Sequence, residues 1–185
     1  MKVNETALPG VVMIDPDVYG DSRGFFSETW NIQRYRDAGI DATFVQDNIS
    51  RSAAGVLRGL HFQNPSPQAK LVQVLVGEVF DVAVDIRVGS PTFGQWVGAV
   101  LSASNHRQFF IPEGFAHGFC VTSDDAIFAY KCSNVYVPDA DGGVRWDDPA
   151  IGIDWPLSSP ELSDKDRVAP LLSDVSADRL PQYTA

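Results

Sequence analysis

The sequence predicts an all-β protein, either a sandwich or a barrel. Short runs rich in Val, Ile and Phe fill most of the chain, and Gly, Pro, Asp or Ser residues interrupt them at close, regular spacing. Only one stretch, NIQRYRDAG at 31–39, has a convincing helical pattern, and it ends at a glycine. The strand-like runs are therefore expected to pair with one another rather than to alternate with helices in βαβ units.

The predicted elements follow in order along the chain. Residues 10–30, GVVMIDPDVYGDSRGFFSETW, predict two short strands around a Gly-Asp-Ser turn, ahead of the helix. The further strand-like runs are 42–52, 56–63, 70–77, 78–89, 93–103, 107–123 and 125–138. After these runs the chain becomes rich in Pro, Asp and Ser, and SPELSDKDRVAP at 159–170 predicts a short helical or looped cap. We expect a single domain over 1–185, with a polar C-terminal tail at 172–185 that packs weakly.

Polar residues share strand faces that ought to point inward. In EVFDVAVDIR, Phe80 and Val82 lie on one face, while Asp81 and Asp85 lie on the other. In KLVQVLV, Lys70 shares its face with valines. Polar groups inside a small barrel cost free energy unless they are paired or line a cavity. The pattern therefore predicts a barrel with a ligand at its mouth.

The run VLRGLHFQ at 56–63 places a cation and an imidazole three residues apart in a predicted strand. Regular alternation would direct Arg58 and His61 to opposite faces. A β-bulge at Gly59, where no Cβ restricts the backbone, would bring both side chains to the same face.

Composition limits the classes of partner. The chain has a net charge of −10, which disfavours nucleic acids and anionic membranes as partners but allows a small anionic ligand. The first 21 residues contain no sustained apolar run, so we expect no signal peptide. Cys120 and Cys132 have no C-x-x-C spacing and are expected to be reduced, as in a cytoplasmic protein.

The sequence lacks the ligands that a metal site in such a barrel would need. In a barrel with a histidine metal site, His61-Phe62-Gln63 would have to read His-x-His, but the second histidine is missing. Lys70 stands where a carboxylate ligand would be wanted, and an ammonium group cannot ligate a metal. We therefore expect neither a metal nor another cofactor.

Seven segments of the chain resemble the dTDP-4-dehydrorhamnose 3,5-epimerase family in order and spacing, from about Leu8 to Pro170. They are YGDSRGFFSETW, FVQDN, VLRGLHFQ, GEVFDVAVDIR, SPTFGQWVG, IPEGFAHGF and ELSDKD. The resemblance implies a jelly-roll, cupin-like β-sandwich with short peripheral helices, a homodimer and a metal-free reaction. The expected reaction inverts C3 and C5 of a 4-keto sugar attached to thymidine diphosphate.

The resemblance also implies catalytic roles. His61 is expected to remove the proton next to the ketone, and Asp166 to orient His61. Lys70 is expected to stabilise the enolate, and Tyr130 to return a proton on the opposite face of the sugar. The residue chemistry agrees, because histidine side chains have pKa values of about 6.5 and an inversion needs a donor and an acceptor on opposite faces.

For nucleotide binding, the resemblance points to one further set of residues. They are Arg23, Glu28, Gln46, Asn48, Arg58, His117, Asp141 and Lys165. The basic members supply the local positive charge that a diphosphate needs in an acidic protein. Asp81 is expected to orient His117. The sequence departs from many family members at Asp141, where glutamate is common, and at Trp30, where tyrosine is common.

Three alternatives remain open from the sequence. The chain could epimerise one carbon only, or it could be a ketoisomerase acting on a related dTDP-sugar. It could also be a sugar-nucleotide-binding protein without catalysis, although the base and the acid are both present. We further expect a homodimer in which N-terminal strands cross to the partner and bring Arg23 to the partner's site.

Overall fold

A computed structural model describes residues 1–184 and contains antiparallel β-sheets with two short α-helices among those residues. One sheet has six strands in the order β1-β2-β10-β7-β12-β5, and a second has five in the order β13-β6-β11-β8-β9. Strands β3 and β4 form a separate hairpin. The strands are β1 (Lys2–Glu5), β2 (Val12–Asp15), β3 (Val18–Asp21), β4 (Gly24–Ser27), β5 (Gln46–Ala53), β6 (Leu57–Gln63), β7 (Lys70–Val76), β8 (Glu78–Asp85), β9 (Trp96–Ser102), β10 (Gln108–Ile111), β11 (Phe115–Val121), β12 (Asp125–Cys132) and β13 (Asp141–Gly143). The predicted all-β class is confirmed.

The main core lies between the two large sheets. Val72 on β7, Phe119 on β11 and Phe128 on β12 are almost completely buried there, and the rings of Phe119 and Phe128 stack at 4.1 Å. Lys70 and Asp81 lie on the same strand faces as core residues of β7 and β8, as the sequence pattern predicts. Two ionisable groups therefore enter the interior of the sandwich.

The C-terminal segment packs against the outer face of the five-stranded sheet, so the expectation of weak packing for 172–184 is wrong. Leu172 and Leu180 are buried in one cluster with Val82 and Val84 of β8. The backbone of Val88 also bonds to Pro181 and Tyr183. β8 is buried on both faces, and its outer face, with Val82 and Val84, is covered by this segment together with apolar residues of 144–155. Ala185 lies outside the described residues.

The predicted bulge in β6 is present. His61 faces His117 and Arg58 faces Phe119 in the pairing of β6 with β11, so two residues of β6 oppose one residue of β11. Gly59 has φ +119°, and a Cβ there would lie 2.6 Å from the Cα of Gly118. Only glycine fits this backbone and this close approach.

The two helices lie where the sequence predicts them, α1 (Ile32–Asp37) against the outer face of the six-stranded sheet through buried Tyr35 and α2 (Asp164–Arg167) beside β6. Helix α1 begins at Asn31, whose side chain accepts hydrogen bonds from the next turn. Helix α2 begins at Ser163, and an isolated parallel bridge between Glu161 and Val56 holds this region against the start of β6. Within residues 1–184, no helix is both long enough and apolar enough to span a bilayer.

Among residues 1–184, the β3–β4 hairpin pairs with neither large sheet. Its aromatic side chains Tyr19, Phe25 and Phe26 are 64%, 65% and 68% exposed. Strand β5 is an edge strand of the six-stranded sheet. The chain thus displays an apolar hairpin and an open sheet edge, both of which favour association.

Candidate active site

A cavity of about 250 Å³ opens at one end of the sandwich. Six of the residues singled out in the sequence line this cavity: Gln46, Asn48, His61, Lys70, Tyr130 and Asp141. They come from β5, β6, β7, β12 and β13, so both large sheets contribute to the site. The antiparallel pairing brings distant parts of the sequence to the same end of the molecule.

His61 is held by a carboxylate behind it. Its Nε2 lies 2.5 Å from Oδ1 of Asp166, whose side chain is only 4% exposed. Burial alone would raise the pKa of Asp166, but the hydrogen bond and charge of His61 outweigh burial and lower it. Asp166 therefore stays ionised and fixes the ring of His61, whose other nitrogen has no partner among residues 1–184.

Lys70 begins β7 and faces the same cavity. Burial lowers the pKa of Lys70, while Cys132, Asp81 and Asp141 raise it and Lys165 lowers it. Its ammonium group makes no hydrogen bond or ion pair within the described part of the chain. Such a group can bind negative charge that develops in the cavity.

Tyr130 on β12 supplies a phenol to the cavity. Burial, followed by the nearby Cys132, raises the pKa of Tyr130, and Arg58 partly offsets this effect. The phenol therefore keeps its proton at neutral pH and can act as a proton donor. Arg58 is anchored by a 3.0 Å hydrogen bond from its Nε to Ser52 on β5, on the cavity side of that strand.

A second histidine–carboxylate pair lies deeper in the sandwich. Nε2 of His117 lies 3.0 Å from both carboxylate oxygens of Asp81, so the expected contact between these residues is present. Burial lowers the pKa of His117 and raises that of Asp81, and each partner opposes the shift of the other. His117 faces His61 across the β6–β11 pairing and is within electrostatic range of Lys70.

Of the three predicted residues that remain, one contacts the cavity wall and two do not. Lys165 on α2 forms an ion pair with Asp141 on the cavity wall. Arg23 is 87% exposed on the hairpin and pairs with Asp21, while Glu28 pairs with Arg34. Neither Arg23 nor Glu28 lines the cavity of its own chain.

The structure adds cavity residues that sequence reasoning missed, namely Gln63 and Gln68 as polar wall residues, Cys132, and the half-exposed ring of Tyr136. Tyr136 lies between β12 and a 3-10 turn over Pro138–Ala140, outside regular strands. No periodicity marks such a position. The one available signal was an aromatic residue in a run that ends at a proline.

Together, a carboxylate-held imidazole, an unpaired ammonium and a protonated phenol around one cavity define an acid–base enzyme. Such a group of side chains can remove a proton next to a carbonyl, hold the enolate and return a proton.

Comparison with known proteins gives the family. A sequence profile described as dTDP-4-dehydrorhamnose 3,5-epimerase matches residues 5–174. The dTDP-4-dehydrorhamnose 3,5-epimerase of Salmonella typhimurium is 58% identical over 175 residues, which cover 93% of this chain and 96% of that protein. The chain belongs to the dTDP-4-dehydrorhamnose 3,5-epimerase family, whose members are isomerases.

Solved structures give the same result. The crystal structure of dTDP-6-deoxy-D-glucose-3,5-epimerase from Legionella pneumophila, in complex with dTDP-4-keto-L-rhamnose, has a TM-score of 0.97 and 54% identity, and the match covers 100% of this chain and 99% of that one. A 3'-monoepimerase from Streptomyces bikiniensis, in complex with dTDP-quinovose, has a TM-score of 0.88 and 36% identity over 96% of this chain and 92% of that one. The predicted family and its cupin-like sandwich are confirmed.

Proposed function

We propose that the chain inverts C3 and C5 of dTDP-4-dehydro-6-deoxy-D-glucose to give dTDP-4-dehydro-L-rhamnose, a step toward dTDP-L-rhamnose. The observation that carries this proposal is the 2.5 Å contact between His61 and Asp166, beside Lys70 and Tyr130 in one cavity. The names of the similar proteins support the same reaction and substrate class.

The proposed chemistry moves protons only. His61 takes the proton from the carbon next to the ketone, the electron pair of that C–H bond forms a C=C bond to C4, and the π pair of the carbonyl passes to the C4 oxygen, where Lys70 stabilises the enolate. Tyr130 gives its proton to the same carbon from the opposite face, and the carbonyl re-forms. Asp166 holds the imidazole and stabilises its protonated form. Repeating the cycle at the second carbon requires solvent to restore both groups.

The nucleotide is proposed to lie toward the mouth of the cavity. Lys165 can exchange its ion pair with Asp141 for the diphosphate, and Arg58 adds a second positive charge. His117, Gln46 and Asn48 remain the proposed binding residues on the strands. The half-exposed ring of Tyr136 offers a flat surface on which a pyrimidine base can stack.

Deuterium uptake tests the proposed reaction. The chain is incubated with dTDP-4-dehydro-6-deoxy-D-glucose in deuterated water, and the product is examined by NMR. Inversion at both carbons places one deuteron at C3 and one at C5. A mono-epimerase, the second candidate favoured by the likeness to a 3'-monoepimerase, would label one inverted carbon only. A ketoisomerase would move the carbonyl, and a binding protein would leave the sugar unlabelled.

We infer a homodimer in which the β3–β4 hairpin reaches the partner subunit. Among the described residues the hairpin pairs with no other strand, β5 is an open edge, and Arg23 does not line the cavity of its own chain. Pairing the hairpin with the partner's edge would cover both surfaces and bring Arg23 to the partner's nucleotide.

Dilution tests the dimer. We expect two copies in sedimentation experiments, and a loss of specific activity when the protein is diluted below its dissociation constant. The variant Phe26→Asp should produce monomers with low activity, because a charge cannot be buried in an apolar interface. A monomer with full activity would contradict the exchange of strands.

We expect activity to survive exhaustive chelation. Both ends of the Gln63 amide are committed to backbone groups, and Lys70 offers an ammonium group instead of a ligand. The rate after treatment with EDTA and dialysis should match the untreated rate within error. Loss of turnover that zinc or iron restores would show that the metal-free mechanism is wrong.

We propose a cytoplasmic location, because both cysteines carry free thiols. Cys120 and Cys132 are both buried and free in the described residues. Burial raises the pKa of the Cys120 thiol to about 11, which makes it a poor nucleophile for disulfide exchange.

A further inference from the structure

Residues 134–137 form the wall of the cavity that carries Tyr136, and they lie outside every strand. The segment connects the end of β12 to the 3-10 turn at Pro138–Ala140. Without a neighbouring strand, its backbone N–H and C=O groups need other hydrogen-bond partners. The direction of the Tyr136 ring depends on how firmly this backbone is held.

Three glutamine side chains supply those partners, and we call them the glutamine clamp: Gln46, Gln63 and Gln68. Gln68 donates to the carbonyl of Asn134 at 2.8 Å, and Gln46 accepts from the N–H of Tyr136 at 2.9 Å. Gln63 donates to the carbonyl of Val135 at 3.1 Å and accepts from the N–H of Val137 at 2.8 Å. Successive residues of the segment are thus each bonded to a clamp side chain.

Gln63 is central to this arrangement. It is only 6% exposed, and it bonds the segment on both sides of Tyr136, while also donating to the carbonyl of Ser66. An amide is the one side-chain group that offers both N–H donors and a carbonyl acceptor, so neither a carboxylate nor an aliphatic chain can replace it. The last residue of β6 therefore connects the strand that carries His61 to the wall that carries Tyr136.

A fixed wall binds a ligand more tightly than a mobile one. If the segment were free, binding would have to order its backbone and the Tyr136 ring, and this entropy would be subtracted from the affinity. The phenol of Tyr136 contributes little to the orientation of the ring, since its only hydrogen bond among the described residues is a 3.4 Å contact with Asp141. The ring is therefore oriented mainly through its backbone.

We propose that Gln63, assisted by Gln68, is a positioning residue that fixes Tyr136 as the wall on which the base of the nucleotide packs. The inference rests on the proposed function, because it takes the ligand to be a pyrimidine nucleotide. It assigns different roles to two neighbouring residues of β6: His61 performs chemistry on the sugar, and Gln63 sets affinity for the nucleotide. Gln63 touches neither the base nor the reacting carbons in this assignment.

The test is a double-mutant cycle read by calorimetric binding of dTDP to the full chain. Gln63→Met keeps a similar volume but removes all of its hydrogen bonds, and we expect about tenfold weaker binding of dTDP. Tyr136→Ala should weaken binding by about 5-fold to 150-fold, the range expected for one stacked base. In the Tyr136→Ala background, adding Gln63→Met should change affinity by less than about twofold, because the ring it positions is gone.

Two further variants distinguish a loss of positioning from a general loss of stability as the cause of weaker binding. Gln68→Leu removes a single clamp bond from a half-buried side chain, and its smaller loss of affinity should also vanish in the Tyr136→Ala background. Asp148→Ala is the matched control, because buried Asp148 accepts hydrogen bonds from two backbone N–H groups away from the cavity. It should lower the melting temperature and leave the affinity for dTDP unchanged.

Kinetics give an independent readout. Gln63→Met should raise KM for the dTDP-sugar roughly as it raises Kd for dTDP, while kcat at saturation changes by less than about twofold. If Gln63→Met weakened dTDP binding equally in the unaltered chain and in the Tyr136→Ala background, the positioning role would be overturned. A fall in kcat with an unchanged KM would overturn it as well. An unaltered chain that fails to bind dTDP would refute the proposed function itself, whereas normal binding by both the unaltered chain and Gln63→Met would refute only this inference.

Discussion

Replacing His61 with Asn is expected to abolish both proton exchange and epimerisation. Asn keeps a polar side chain of similar reach, but an amide cannot accept a proton at neutral pH. In the part of the chain that the structure describes, no other side chain on the cavity wall combines a basic nitrogen with a carboxylate behind it, as His61 does with Asp166 at 2.5 Å. We expect the rate to fall by about 10⁴-fold, the upper part of the range for acid–base catalysis, because the same base serves both carbons.

Two measurements check this result. Deuterium exchange at C3 and C5 should disappear together with turnover, while dTDP still binds, which shows that the cavity is intact. His106→Asn is the matched control, since His106 has a positive φ of 55° that Asn also tolerates, and it does not line the cavity. Residual exchange above a few per cent in His61→Asn would require a different base.

Replacing Tyr130 with Phe is expected to separate exchange from inversion. The change removes one hydroxyl and leaves the ring packed near Phe128. His61 can still form the enolate against Lys70, and it can return a deuteron from the original face. Solvent deuterium should therefore enter the sugar with retained configuration, while inverted product falls by about 10²–10⁴-fold.

The control for Tyr130→Phe is Tyr183→Phe, because the ring of Tyr183 packs on Arg87 outside the cavity. It should leave exchange and inversion unchanged. Equal losses of exchange and inversion in Tyr130→Phe would refute the division of work between the two residues. Full activity would remove Tyr130 from the mechanism.

Much of the fold and part of the site can be predicted from the sequence, for physical reasons that differ between elements. The alternation in β7 and β8 predicts which face of each strand is inward, because side chains on a strand repeat every two residues. The glycine in VLRGLHFQ predicts the bulge, because it marks a backbone conformation that other residues avoid. Local patterns of this kind are visible without any knowledge of tertiary contacts.

The glutamine clamp and the docked C-terminal segment could not be predicted in this way. A glutamine bonds to whichever backbone groups lack partners nearby, and only the folded chain determines which groups those are. Leu172 and Leu180 are two apolar residues in a polar stretch, and their burial follows from the apolar outer face of β8. In both cases the decisive partner is distant in sequence.

The pairing of His61 with Asp166 spans 105 residues, and it has a consequence for the order in which the chain is made. A nascent chain that has left the ribosome only as far as β13 contains every strand, together with His61, Lys70 and Tyr130. The carboxylate arrives later, when α2 docks beside β6. During synthesis, activity should therefore appear only after the last quarter of the chain has emerged and docked.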